Sequence, residues 1–171
     1  SSMKKLISRD QTEANIREVL RLLADSPAKT EMLSQGLSDE QLHRPLGRGE
    51  RSFIETVTHL INCEAITTAS VYLALLRDEP LVSDIHPERE LGKLLHFEQL
   101  PFSELLAYFK FRRTVLLRVL ESLNDKKWSR SIREEKKQRK ETIYWLVRAQ
   151  ALHEMEHLSD LEKKLALPQR E

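Results

Sequence analysis

Residues 52–77 read SFIETVTHLINCEAITTASVYLALLR, and this run of 26 residues contains no glycine or proline. It opens with Ser52 and, three residues later, Glu55, the capping-box pattern in which two side chains satisfy backbone N–H groups at a helix start. Behind this start, apolar residues recur at helical spacing to about Arg77. The run therefore predicts a long helix, which makes a helical core the expected architecture.

The other long helices are predicted from the places where glycine and proline are absent. The four glycines and six prolines cluster in residues 27–49 and 80–101, with the last proline at 168, and both residue types are costly inside a helix. The remaining runs predict four principal helices, at about 10–24, 53–77, 102–120 and 141–165, with short helical turns at 28–34 and 38–42. No segment alternates apolar and polar residues long enough to predict a strand.

The connections between these helices are longer than the 2–8 residues usual in simple bundles, so at least one of them is predicted to cross over. We therefore predict an all-α fold, a four-helix bundle with a long crossover connection, in a single domain over residues 4–168. Residues 1–3 are expected to be a cloning remnant ahead of the native start.

Composition limits the classes of partner. The 171 residues carry 28 basic and 27 acidic side chains, a formal net charge of +1, which gives no electrostatic attraction to nucleic acid or to a membrane surface. No uncharged run approaches the roughly 20 residues that cross a bilayer, and the N-terminus lacks a signal-peptide pattern. Cys63 is the single cysteine, which excludes an internal disulfide and favours a reducing, cytoplasmic location.

The fourth predicted helix contains LHEMEHL at residues 152–158. His153 and His157 are four residues apart, so a helix places both imidazoles on one side, where they can bind one metal ion. Two solvent-facing histidines are the alternative, since six histidines produce such a spacing easily by chance. The segment also matches the zincin motif H-E-x-x-H, but no histidine follows as a third ligand and no sheet is predicted to bind a peptide.

Glu154 lies near the middle of the apolar stripe of this helix. A carboxylate there costs free energy unless it is paired, hydrogen-bonded or near a metal, so Glu154 is a candidate general base or partner of a metal ligand. The alternative is a side chain that extends to solvent at the edge of the bundle. A third metal ligand is also needed, and the residues leave two candidates in the second helix, His59 and Cys63.

The stretch at 52–64, SFIETVTHLINCE, together with LHEMEHL, resembles the signatures of the DinB/YfiT-like family of metalloenzymes, and the order of segments agrees from about residue 10 to 165. The resemblance implies a four-helix bundle in which His59, His153 and His157 bind a divalent metal, commonly zinc or nickel. One position departs from the family pattern, since Arg51 stands where the family often has tryptophan.

The resemblance implies a small-molecule substrate and one of two chemistries, metal-dependent hydrolysis or transfer of a low-molecular-weight thiol, and it allows a homodimer. A site with three histidines leaves a coordination position open, as catalytic sites do. Cys63 is an alternative ligand, a redox-sensitive neighbour or a small buried hydrophobe. The competing hypothesis is a non-catalytic stress-response interaction bundle that binds metal incidentally or not at all. The charged run at 130–140 is expected to be a solvated loop that Trp128 anchors to the bundle.

Overall fold

The computed structural model describes residues 7–167, so the predicted remnant at 1–3 and the predicted domain ends at 4 and 168 lie outside the described residues. Helices α1–α7 span Glu13–Ser34, Asp39–His43, Phe53–Leu76, Lys93–Leu95, Phe102–Glu121, Asp125–Trp128 and Ile143–Ala166. Strands β1–β3 span Leu81–Val82, Ser131–Glu134 and Lys140–Thr142. A π-helical segment covers Pro87–Gly92, and a 3-10 turn covers Phe97–Gln99.

The four long helices α1, α3, α5 and α7 form the predicted bundle. α1 packs against α5 and α7, and α3 packs against the same two helices, so the order around the bundle is α1, α5, α3, α7. α1 and α3 therefore lie diagonally, as do α5 and α7, and the connections between them cross the bundle, whereas α3 and α5 are neighbours. The predicted four-helix bundle with crossover connections is confirmed.

α3 begins as its sequence predicts. The Ser52 hydroxyl accepts a hydrogen bond from the Glu55 backbone N–H, and the Glu55 carboxylate accepts one from the Ser52 N–H, each at 3.1 Å. By length and composition α3 is apolar enough to cross a membrane. Most of its residues are nevertheless buried in the bundle, and this packing accounts for its composition.

The predicted end of the first helix at residue 24 is wrong, because α1 continues through Pro27 to Ser34. A proline inside a helix lacks the N–H that would bind the carbonyl four residues earlier, here that of Leu23. The guanidinium of Arg113 on α5 replaces this donor, with Nη1 2.6 Å from the Leu23 carbonyl oxygen. A contact from another helix thus allows the chain to keep a helical path that the local sequence disfavours.

The expectation of no strands, and of a solvated loop at 130–140, is also wrong. β2 and β3 form an antiparallel hairpin with Ile132 opposite Glu141, and β1 pairs with β2 in parallel. These strands contain two to four residues, too few to show alternation, and β1 comes from a distant connection. The anchoring role of Trp128 is confirmed, since its side chain is buried in the core and contacts the ring of Tyr144 edge-on.

Arg113 and Glu154 form an ion pair in the centre of the bundle, and Glu64 of α3, which is 1% exposed, lies 3.7 Å from Nε of Arg113. Arg113 is 2% exposed and Glu154 is fully buried, and Nη1 of Arg113 lies 2.7 Å from Oε1 of Glu154 while Nη2 binds Oε2. Gln150 donates a further hydrogen bond to Oε2 at 2.7 Å. These contacts offset the free-energy cost predicted for a carboxylate in the apolar stripe. The predicted alternative of a solvent-exposed Glu154 is wrong.

We expect Arg113→Met to lower the free energy of unfolding by about 3–5 kcal/mol, because it leaves the buried Glu154 carboxylate without its cation. Arg118→Met on the exposed side of α5 is the matched control and should change stability by about 0.5 kcal/mol or less. Urea denaturation of both variants measures the difference. Equal stabilities would show that the buried pair does not hold the bundle together.

A second experiment tests the hydrogen bond between Arg113 and the Leu23 carbonyl. In Arg113→Met that carbonyl loses its donor, and Pro27→Ala supplies a new N–H from within α1. Pro27→Ala should therefore stabilise the Arg113→Met protein by about 1–3 kcal/mol more than it stabilises the wild type. Additive effects in this double-mutant cycle would contradict the coupling.

Candidate metal centre

Three histidines from two adjacent helices converge. His59 comes from α3, and His153 and His157 come from α7. Each offers one ring nitrogen, and these three atoms all lie within 4.8 Å of one another. The rings meet edge-on with centroids 4.4–5.2 Å apart. The structure therefore brings together the three residues predicted as metal ligands.

The local sequence explains the arrangement. His153 and His157 lie one helical turn apart, so they face the same neighbour, and that neighbour is α3. His59 is off the main apolar stripe of α3, yet its side chain is only 8% exposed. A helix packed between two others buries a second row of side chains, and His59 lies in the row that faces α7.

The spacing of the donor atoms fits one small divalent cation. Two nitrogens that bind zinc at 2.0–2.1 Å in tetrahedral geometry are about 3.3 Å apart. Nε2 of His59 and Nε2 of His153 are 3.1 Å apart. Imidazole nitrogens in this number and at this spacing are suited to zinc and to nickel alike.

The electrostatic environment keeps two of these histidines neutral. Burial, the charge of Arg51 and the neighbouring imidazoles lower the pKa of His59 to about 3. Burial, His153 and Arg51 lower the pKa of His157 to about 4. A neutral imidazole has a lone pair for a cation, so both rings are in the protonation state that metal binding requires at neutral pH.

Glu88 joins the cluster from the π-helical segment. It lies in a long irregular connection, where no sequence pattern predicts a site residue. One of its oxygens lies 2.7 Å from Nδ1 of His59, and the same oxygen pairs with Arg51. The ring of His86 accepts hydrogen bonds from the Glu88 and Arg89 N–H groups and shapes this segment. A carboxylate on Nδ1 fixes the ring so that Nε2 faces His153, as carboxylates commonly do behind metal-binding histidines.

Cys63 lies beside the cluster but does not belong to the group of mutually close donors. Its sulfur is 3.6 Å from Nε2 of His59 and 3.8 Å from Nε2 of His153. Burial raises the pKa of the Cys63 thiol to about 11, so in the metal-free protein the sulfur is protonated at neutral pH and a poor nucleophile.

The other predicted residue, Glu154, occupies a different environment from the cluster. Both of its oxygens accept hydrogen bonds from Arg113, and Gln150 adds another. The role of Glu154 as general base stays a prediction, and its contacts instead serve to orient α7.

A cavity of about 930 Å³ reaches the cluster. It lies along α3 and α7, and its lining includes His153 and Cys63 at one end and Trp145 at the other. Its size is that of a small-molecule site. His59 and His157 face two smaller cavities, of about 240 and 460 Å³, and both of these are also lined by Arg51 and Glu88.

Comparison with known proteins agrees with this architecture. Among solved structures, the chain is similar to YfiT from Bacillus subtilis, described as a probable metal-dependent hydrolase with an unusual four-helix bundle topology. The TM-score is 0.82 at 16% sequence identity, over 92% of this chain and 89% of YfiT, a likeness that shows the fold. A comparison with curated protein sequences finds no match.

The family model described as the DinB superfamily matches residues 22–161. This range covers most of the bundle and includes His59, His153 and His157. The chain belongs to the DinB superfamily.

Proposed function

We propose that this protein is a divalent-metal-dependent enzyme that hydrolyses a small molecule at the three-histidine cluster. The observation that carries the proposal is the convergence of three imidazole nitrogens within 4.8 Å beside a cavity of about 930 Å³. The likeness to YfiT supports it, since that protein is described as a probable metal-dependent hydrolase. Zinc and nickel are the cations that we expect.

Different residues would bind the cation, orient a histidine ring and stabilise charge on the substrate. His59, His153 and His157 would hold the cation, and Glu88 would hold the ring of His59 by accepting a hydrogen bond from Nδ1. Three protein ligands leave a position for water or substrate, and a bound divalent metal supplies a Lewis acid there. Arg51, paired with Glu88, places a positive charge near the site, where it can stabilise negative charge that develops on a substrate.

Transfer of a low-molecular-weight thiol remains a second prediction for the same site. It needs the same three histidines and the same cavity, and it differs in the group that attacks the substrate. The non-catalytic interaction bundle differs more sharply, because it requires no stoichiometric metal. Metal content therefore separates the enzyme hypotheses from the interaction hypothesis before any substrate is known.

We expect the purified protein to bind one equivalent of zinc or nickel, and His153→Ala to lose this binding because two nitrogens remain. His43→Ala, which removes an exposed histidine on α2, is the matched control and should bind as the wild type does. Glu88→Gln should weaken binding by about 10–100-fold. Isothermal titration and elemental analysis of the dialysed proteins measure this.

A wild-type protein that retains no stoichiometric metal after loading would refute the proposal and favour the interaction bundle. If metal is bound, assays of the loaded protein with ester and amide substrates, and with a low-molecular-weight thiol plus an electrophile, follow. His153→Ala should abolish whichever activity is found. Activity that persists in this variant would place the reaction elsewhere in the chain.

The metal-free protein is expected to lose stability as the pH falls below about 6.5. In the unfolded chain, histidine binds a proton near that pH, whereas the folded state holds His59 and His157 neutral to about pH 3 and 4. The unfolded state therefore binds more protons in this range, and acidification favours unfolding. Urea denaturation of wild type and His59→Gln at pH 7 and pH 4.5 measures the effect, and the variant should lose less stability. Equal losses would contradict the assignment.

A further inference from the structure

The outer end of the cavity that reaches His153 is surrounded by arginines. The guanidinium groups of Arg9, Arg139 and Arg148 lie 5.3, 5.0 and 5.7 Å from the centre of the Trp145 ring. Trp145, Arg9 and Arg148 line the cavity itself. Three cations around one aromatic ring repel one another, and attraction to the ring offsets only part of this.

The three arginines have different tasks. Arg148 is buried, and its Nε donates hydrogen bonds to the backbone carbonyls of Ile7 and Ser8 at 2.9 and 3.1 Å. It thereby holds the segment that carries Arg9 against α7. Arg9 and Arg139 are exposed, and within residues 7–167 neither forms a salt bridge. These two are available to an anion from outside the chain.

Arg139 also differs from the other basic residues of its hairpin. Its neighbours Arg133, Lys137 and Lys140 each pair with a glutamate of the chain. Arg139 instead lies over Trp145. The start of α7 adds to the positive potential, because Trp145 is in its first turn and a helix N-terminus carries partial positive charge.

The rest of the cavity wall is largely apolar, and its polar members Thr67 and Gln150 hydrogen-bond to each other. Ile66, Leu146 and Leu152 contribute to its wall between the arginines and the cluster. Glu156 is the acidic residue of the lining, and it lies near the His153 end. Eight residues of helix separate Trp145 from His153, so the two ends are about 12 Å apart at 1.5 Å per residue.

We propose that the substrate is an elongated small molecule with an apolar middle and a terminal carboxylate that binds Arg9 and Arg139 beside Trp145. The reacting group then lies about 12 Å away at the three-histidine cluster. The assignment of the substrate's reacting end to the histidine cluster rests on the proposed function. The assignment of its anionic end rests on the arginines alone. A planar guanidinium matches a carboxylate through two parallel hydrogen bonds.

Suberic acid monohydroxamate tests the proposal, because it carries a metal-binding hydroxamate and a carboxylate at the two ends of an alkyl chain of comparable length. Its methyl ester is the matched uncharged probe. Binding of both is followed by tryptophan fluorescence, which Trp145 in the cavity should report, while Trp128 is buried in the core. Each probe is titrated into zinc-loaded and metal-free protein.

We expect the carboxylate probe to bind wild type about tenfold more tightly than its ester, as a hydrogen bond to a charged group predicts. Arg9→Gln/Arg139→Gln should abolish this preference. Arg118→Gln, an exposed arginine on α5, should retain it. Equal affinities of the two probes for wild type, or a preference that survives in the double variant, would overturn the proposal.

The metal-free protein separates this proposal from the proposed function. The carboxylate preference should persist without zinc, while both probes bind more weakly because the hydroxamate has no cation. If zinc fails to strengthen the binding of either probe, the metal centre is refuted. The arginine site is still tested in that case. Tighter binding of the carboxylate probe than of its ester supports the arginine site, and equal binding refutes it.

Discussion

The buried pair of Arg113 and Glu154 is the interaction on which the rest of the structure depends. Arg113 comes from α5, Glu154 from α7, and the same guanidinium binds the carbonyl of Leu23 in α1. Nε of Arg113 also lies 3.7 Å from Oε1 of the buried Glu64 on α3, so one side chain connects all four long helices. Because Glu154 points into the bundle at this contact, the rotation of α7 about its own axis is fixed, and His153, the preceding residue, faces α3.

The same contact explains an apparent conflict in α1. Pro27 removes a backbone donor in the middle of a 22-residue helix, which ordinarily kinks or ends a helix. Arg113 supplies the missing donor only because it is already held in the core by its pair with Glu154. The continuity of α1 thus depends on the charge pairing in the core.

Much of the fold could be predicted from the sequence, because the signals were local. The capping box at Ser52 and the distribution of glycine and proline located the long helices, and the spacing of His153 and His157 placed two rings on one face. What could not be predicted required contacts between distant segments. The continuation of α1 depends on Arg113, and the short strands depend on pairing between β1 and a hairpin about 50 residues later.

The residues of the candidate site also differ in whether local sequence patterns predict them or only tertiary contacts reveal them. The residues alone left His59 and Cys63 as candidates for the third ligand, and resemblance to a family chose His59, which is off the main apolar stripe of α3. Glu88 and Trp145 were missed, because a carboxylate in an irregular connection and a half-buried tryptophan in a helix carry no periodic signal. Both acquire meaning only when the fold brings His59 to Glu88 and the arginines to Trp145.

The three histidines, and not Cys63, are the ligands that we propose for the divalent cation. X-ray absorption spectroscopy of the zinc-loaded protein tests this assignment most directly, because zinc–nitrogen and zinc–sulfur distances differ, at about 2.0–2.1 and 2.3 Å. We expect the zinc to be coordinated by three imidazole nitrogens and oxygen, with no sulfur ligand. A sulfur ligand at about 2.3 Å, or a shell without imidazole, would contradict the assignment.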